Sequence, residues 1–300
     1  MTIDSLNLLK TAKDVPTFDA VPWDSPVAWH PAGSGASVDL AAVREIVRRY
    51  RRHGFCIVQL QPGTADEQSL SSLAEALRLG NPFVPPLYRL NGNTPSAVSR
   101  ISAGLNASTQ DATHPSFGRS SGQRLHTDGT LQDIGQIRTT LLLCQSVGRT
   151  GGDTRLFNAT AAYAELLTAD LPAALALATP GSLVRRATVN GSDDFNAGPA
   201  FAVVDGQLVT RYSLTDTDRW EVPSGISADD LWRAVAYLER CAEDSAVYRE
   251  FRLEPAQVLV LANARLSHGR TAYTDDPQQP RCMFRTLHER EPATEPIPCP

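Results

Sequence analysis

Three residues far apart in the chain carry the first chemical signal. His126 and Asp128 stand in the stretch RLHTDGT (Arg124 to Thr130), and His268 stands in LANARLSHGR. In an extended strand, residues i and i+2 point to one face, so His126 and Asp128 would present an imidazole and a carboxylate side by side. A lone His-x-Asp arises often by chance, and an ordinary surface pair is its simplest reading. His268, just after an apolar run, changes the weight. Two histidines and one carboxylate on neighbouring strands supply three ligands on one face of an octahedral metal and leave three positions open. A non-haem Fe(II) oxygenase needs that arrangement, with open positions for a bidentate cosubstrate and for O2.

A 2-oxo acid that chelates iron through its keto and C1 carboxylate oxygens has a far carboxylate that calls for a fixed cation. Arginine suits, because its planar fork binds a carboxylate through two hydrogen bonds and stays charged. Arg281 lies thirteen positions past His268, and Arg285 four further on. On one strand Arg281, Met283 and Arg285 share a face, so both guanidiniums can point inward. Two arginines turned into an apolar interior are costly unless anions meet them there. A local carboxylate is the plainer partner for Arg285. His30, His53, His114 and His288 have no partner at ligand spacing and read as structural or solvated.

The elements that must position these residues are short. VDLAAVREIVRRYRRHG reads as an amphipathic helix closed at Gly54, and FCIVQL as a buried strand. ADEQSLSSLAEALRLG is a second helix. IRTTLLLCQS and DTRLFNA flank the glycine turn GRTGG, and two short helices follow (TAAYAELL, LPAALALA). Asp205-Gly206 between two β-prone runs is a strong hairpin signal. Ser227 and Asp230 read as the capping box of a helix. AQVLVLAN and RCMFRTLHER close the inventory as strands. Many short strands with helices outside them point to a β-sandwich or jelly-roll core rather than a doubly wound sheet. The chain reads as one domain over 1–300, with an irregular arm over 1–37. The polar stretch 85–124 reads as a lid beside the site or as a loose surface loop.

With these pieces in place, the chain resembles the taurine/2-oxoglutarate dioxygenase (TauD/TfdA) family of Fe(II)- and 2-oxoglutarate-dependent oxygenases. The matching pieces are HTD at 126–128, GGDT at 151–154, Asn263 with HGR at 268–270, and the arginines at 281 and 285. The resemblance implies a mainly β fold with flanking helices, a distorted double-stranded β-helix (jelly-roll) like that of clavaminate synthase. It implies Fe(II) on His126, Asp128 and His268, and 2-oxoglutarate bound by Thr154 and Arg281. Arg285 matches a position that contacts cosubstrate or an anionic substrate group in some members. Thr154 reads equally as a turn residue. The family often has Asp-Asn-Arg where this chain has Asn263 between Ala262 and Ala264, so the hydrogen bonds orienting the ligands are expected to differ.

The implied reaction is hydroxylation of an unactivated C–H of a small polar molecule, an amino acid or natural-product intermediate, with release of succinate and CO2. Desaturation, epimerisation and cyclisation stay open. With Asp128 in the carboxylate position, halogenation is not expected. A non-oxidative cupin-type metalloenzyme and a metal-free binding protein are the other classes the same fold allows. GRSSG (Gly118 to Gly122) has the G-x-S-x-G pattern around Ser120, but lacks the strand before and helix after that a nucleophile elbow requires.

Composition narrows the rest. A formal net charge of -5 over 300 residues argues against general nucleic-acid binding. The five cysteines form no Cys-x-x-Cys pair, and Cys56, Cys144 and Cys282 sit in apolar runs, which suits a reducing compartment. The N-terminus lacks the pattern of a signal peptide, and no apolar run approaches the roughly 20 residues of a membrane helix. A cytoplasmic enzyme with a small-molecule substrate is expected.

Overall fold

The computed structural model describes residues 4–18, 24–30, 39–86, 97–103, 119–187, 193–243 and 246–295. Two sheets face each other. The larger holds β1 (Val27–Ala28), β2 (Phe55–Gln59), β3 (Ser99–Ile101), β5 (Thr139–Ser146), β14 (Gln257–Ala262) and β17 (Cys282–His288) in the order β1-β2-β14-β5-β17-β3. The smaller runs β13-β7-β15-β4, from β4 (Gln123–His126), β7 (Thr154–Phe157), β13 (Tyr248–Phe251) and β15 (Ser267–Arg270). Apart from the short parallel β1–β2 pair, the ladders in both sheets are antiparallel.

Strand alternation builds two cores from one run of residues. In β5, Leu141 and Leu143 turn outward with Val258, Val260 and Phe284, and pack under α2 (Leu40–His53) and α3 (Glu67–Ala76). Leu142 and Cys144 turn inward with Leu259, Leu261 and Met283, and meet Leu156 of the smaller sheet. Period-two alternation inside a continuously apolar strand is the mark of a sheet covered on both faces. This is the jelly-roll expected.

A third cluster lies behind the smaller sheet. There α1 (Ser5–Ala12), α4 (Ala159–Ala169), α5 (Leu171–Ala178) and α6 (Ala228–Cys241) pack with Phe157 and with the hairpin of β10 (Phe201–Val204) and β11 (Gln207–Thr210). Asp205 and Gly206 both take positive φ at its turn, as an Asp-Gly hairpin requires. A three-stranded sheet, β12-β8-β9, is inserted here from β8 (Leu183–Arg186), β9 (Phe195–Gly198) and β12 (Arg219–Trp220). A two-stranded pair joins β6 (Thr150–Gly151) to β16 (Tyr273–Thr274).

Two expectations change. The arm over 1–37 is not wholly irregular: Asp4 accepts from the Asn7 amide at 3.0 Å and opens α1, whose Leu8 is buried against the helical cluster. A helix this short is marginal by itself, so tertiary packing selects it. Ser227 sits at the N-cap of α6 without a side-chain capping bond, and Asp230 pairs instead with Arg233 at 2.8 Å. Much of the 85–124 segment, His114 included, lies outside the described residues. Its distal end enters β4 at Gln123, so a strand and not the helix that a nucleophile elbow requires follows Ser120.

Candidate metal centre

His126 and His268 meet because their strands pair. They are register partners in the β4–β15 ladder, with ring centroids 4.4 Å apart. Asp128 arrives differently from the expectation. Strand β4 ends at His126, so Asp128 sits in the turn beyond it, which closes at Gly129 with φ 87°. There a Cβ would press on Ile137 at 2.9 Å. The turn, not strand alternation, brings the carboxylate beside the imidazoles. One potential ligand atom from each of the three residues lies within 4.8 Å of the others, and all three side chains are buried.

The surroundings set the donor state of each. His126 Nδ1 lies 2.9 Å from the Arg124 carbonyl, which can only accept. Nδ1 therefore carries the proton and Nε2 keeps its lone pair, facing the Gln123 amide at 3.2 Å. Burial lowers the pKa of both rings, His268 to about 3. The 3.7 Å approach of His268 Nε2 to Asp128 Oδ2 is thus a neutral imidazole beside a carboxylate at pH 7. Burial alone would raise the Asp128 pKa. The Arg285 guanidinium, with the Thr140 hydroxyl, overrides it and holds the carboxyl well below its usual range. Two neutral imidazoles and one ionised carboxylate are the donor set that a divalent first-row cation takes.

Asp128 is held from the opposite sheet. Arg285 Nη1 donates to Oδ1 at 2.5 Å, and Thr140 Oγ1 donates to Oδ2 at 2.8 Å. Met283 lies in the inter-sheet core, so the inward face predicted for Met283 and Arg285 forms, whereas Arg281 precedes β17, whose register shifts between Cys282 and Met283. Arg281 opens onto the turn before β7, where a Cβ on Gly152 would stand 3.0 Å from its Nε. Thr154 begins β7 two residues later and is buried. Burial lowers the Arg281 pKa, and no carboxylate pairs with its guanidinium among the described residues. The ring of Tyr273 takes Arg281 at 5.3 Å and Arg270 at 4.7 Å. Arg270 also donates to the carbonyls of Arg119 and Ser121 at 2.9 and 2.7 Å, fixing the chain just before β4.

Several participants were not singled out in sequence. Thr140 is a hydroxyl in the apolar run TTLLLC, which was a usable signal. Arg185 and Asn196 carried none.

Facing sheets around a buried two-histidine, one-carboxylate cluster are the frame of a non-haem Fe(II)- and 2-oxoglutarate-dependent oxygenase, the class to which the sequence comparisons also point. The sequence matches the family described as taurine catabolism dioxygenase TauD, TfdA family over residues 31–287, and the chain belongs to that family. It is 40% identical over 255 residues to a uridine-5'-phosphate dioxygenase of Amycolatopsis sp., spanning 85% of this chain and 91% of that protein. A uridine-5'-phosphate dioxygenase of Streptomyces sp. is 34% identical over 264 residues, 86% of this chain and 93% of that protein. Among solved structures, an asparagine oxygenase with Fe(II), 2S,3S-3-hydroxyasparagine and succinate superposes with a TM-score of 0.58 at 18% identity, over 95% of this chain and 91% of that one. AAD-2 with Mn(II) and N-oxalylglycine gives 0.60 at 16% identity, over 85% and 91%. At such identities these two speak for the fold alone.

No described helix is long and apolar enough to cross a membrane.

Proposed function

We propose that this chain oxidises uridine-5'-phosphate or a closely similar 5'-phosphorylated pyrimidine nucleoside, with His126, Asp128 and His268 as the iron ligands. The substrate rests on the 40% identity to a uridine-5'-phosphate dioxygenase across 91% of that protein. A phosphorylated nucleoside is a small polar molecule, as expected, but not the amino acid that was one of the two forms considered. Iron(II) held there supplies the O2-activating centre at which 2-oxoglutarate gives succinate and CO2 and a substrate C–H is oxidised.

The protein's own residues do the rest. Arg281, with no carboxylate of the described chain to neutralise it, grips the far carboxylate of 2-oxoglutarate, and Thr154 adds a hydroxyl beside it. Arg285 and Thr140 each bond one oxygen of Asp128, so its carboxylate is presented in one orientation. The Arg124 carbonyl fixes the His126 tautomer. Burial keeps both imidazoles neutral. The charges also suit an anionic substrate. Arg270 and Arg281 flank the ring of Tyr273 at 4.7 and 5.3 Å, and neither guanidinium has a carboxylate partner among the described residues, so the pair can take up anionic charge.

The test is substrate-dependent succinate release from protein reconstituted anaerobically with Fe(II) and then supplied with 2-oxoglutarate and O2. Uridine-5'-phosphate should drive turnover and uridine should drive it poorly. Succinate release that responds to amino acids and not to the nucleotide would overturn the substrate assignment.

A further inference from the structure

The inserted sheet β12-β8-β9 lies outside the two sheets of the jelly-roll, yet two of its polar side chains, Arg185 and Asn196, bond the segment that carries His126 and Asp128. Arg185 of β8 is buried, with 2% of its side chain exposed. Its Nη1 donates to Thr127 Oγ1 at 3.1 Å and its Nη2 to the Thr127 carbonyl at 3.0 Å. Thr127 is the single residue between His126 and Asp128. One guanidinium therefore grips, through two bonds, the peptide that joins two of the three ligands. Its remaining edge is neutralised: Nε lies 3.2 Å from Asp218 Oδ2, whose side chain is 1% exposed and also accepts from Thr215 Oγ1 at 2.8 Å.

A second grip follows along the same turn. Asn196 of β9 donates through Nδ2 to the carbonyls of Leu131 and Gln132 at 3.0 and 3.3 Å. Arg211 in turn bonds the Asn196 side-chain oxygen and carbonyl, both at 2.7 Å.

A role in stability alone fits this poorly. Burying an ion pair costs desolvation that its attraction barely repays, and apolar replacements of equal volume are often neutral or better. What a forked, charge-balanced donor provides is geometry. Outer hydrogen-bond partners of metal ligands commonly alter metal affinity about 10–100-fold. We propose that Arg185, balanced by Asp218, is a positioning residue that sets the spacing of His126 and Asp128 through Thr127, and that the inserted sheet is the clamp on the metal-binding turn. This rests on the metal centre proposed above.

The probe is Co(II) alone, titrated anaerobically into the full chain and followed by its visible ligand-field bands. Arg185→Gln should weaken Co(II) binding about 10–100-fold and shift those bands. Thr127→Val, which removes only the hydroxyl acceptor, should weaken it less and leave the melting temperature near that of the parent. In the double variant the Thr127 change should add less than it costs by itself, because the two residues act as one unit. Co(II) affinities within twofold of the parent with unshifted bands, or strictly additive losses, would overturn the clamp. Should Arg185→Gln fail to fold, Thr127→Val alone decides, by band shift and affinity. The parent chain and His126→Ala separate the two readings. A parent that takes up no Co(II) defeats the metal centre and the clamp together. A parent that loads, beside a His126→Ala that does not and clamp variants that load like the parent, defeats the clamp only.

Discussion

The side chain of Asn263 brackets the Asp128 peptide. Its Oδ1 accepts from the Asp128 amide at 2.7 Å, and its Nδ2 donates to the Asp128 carbonyl at 3.2 Å and to the Ile137 carbonyl at 3.0 Å. Ala262 ends β14 and Asn263 follows it, so this amide adds a hold on the Asp128 backbone to the hold that Arg285 and Thr140 of the larger sheet have on its carboxylate. The flanking alanines, which suggested a different set of orienting bonds, do not prevent it. Asn263→Ala would strand one donor and two acceptors in a buried place, at about 1–3 kcal/mol for each group left unsatisfied. We expect a urea midpoint clearly below the parent's, and divalent-metal affinity lower by about tenfold or more. A variant equal to the parent in both would show that the turn holds itself.

Under the proposed function, replacing Arg281 acts on cosubstrate binding and leaves the metal triad in place. Truncating one side of a desolvated charge pair costs about 2–5 kcal/mol. Arg281→Leu should therefore raise the KM for 2-oxoglutarate by roughly 30-fold or more, while the affinity for Co(II) stays near the parent's. An unchanged cosubstrate requirement would favour a non-oxidative use of the same metal triad.

The Gly151–Gly152 turn offers a graded version of that experiment. Both glycines have positive φ, 67° and 80°. A Cβ on Gly151 would stand 2.1 Å from the Ala272 carbonyl oxygen, which is backbone and cannot yield. On Gly152 it would meet Arg281 Nε at 3.0 Å, near the end of a flexible side chain that can. Each alanine also costs about 1–2 kcal/mol for the left-handed backbone. Gly151→Ala should thus act mainly on stability, through the β6–β16 pair, and Gly152→Ala mainly on the KM for 2-oxoglutarate. Thermal melts and cosubstrate titrations should rank the two variants in opposite orders.

Local features of the fold were legible because one short stretch decides each of them. Gly54 takes the left-handed C-cap after α2, and Asp205-Gly206 makes the hairpin turn. The shared inward face of Met283 and Arg285 was legible too, since one strand, β17, carries both. Asp128 shows the limit: alternation gave the right neighbour for the wrong reason, because β4 stops one residue after Leu125, at His126, and a turn takes over. Arg185, Asn196 and Arg211 left no trace, since polar side chains that bond distant backbone carbonyls have no periodicity. α1 was invisible for a related reason, its apolar side chains mattering only once α4 is there to receive them.

Acid should weaken the fold through a histidine remote from the ligands. His288, on β17, is fully buried, with Nε2 2.9 Å from Thr286 Oγ1. Burial pushes its pKa down from 6.5 to about 4, against the opposing pull of the Gly80 and Leu79 carbonyls. Between those values the unfolded chain binds a proton that the folded chain refuses. The stability tied to His288 is therefore complete above about pH 6.5 and is lost as pH falls toward 4, by roughly 3 kcal/mol over the window. His126 and His268 act with the same sign in metal-free protein, whereas the depressed Asp128 pKa acts only below the ordinary carboxylate range. His288→Gln removes one titration and leaves the others in place. Urea unfolding at pH 7.5, 6 and 5 should give a shallower loss of stability for His288→Gln than for the parent, and parallel slopes would show that His288 is protonated in the folded chain.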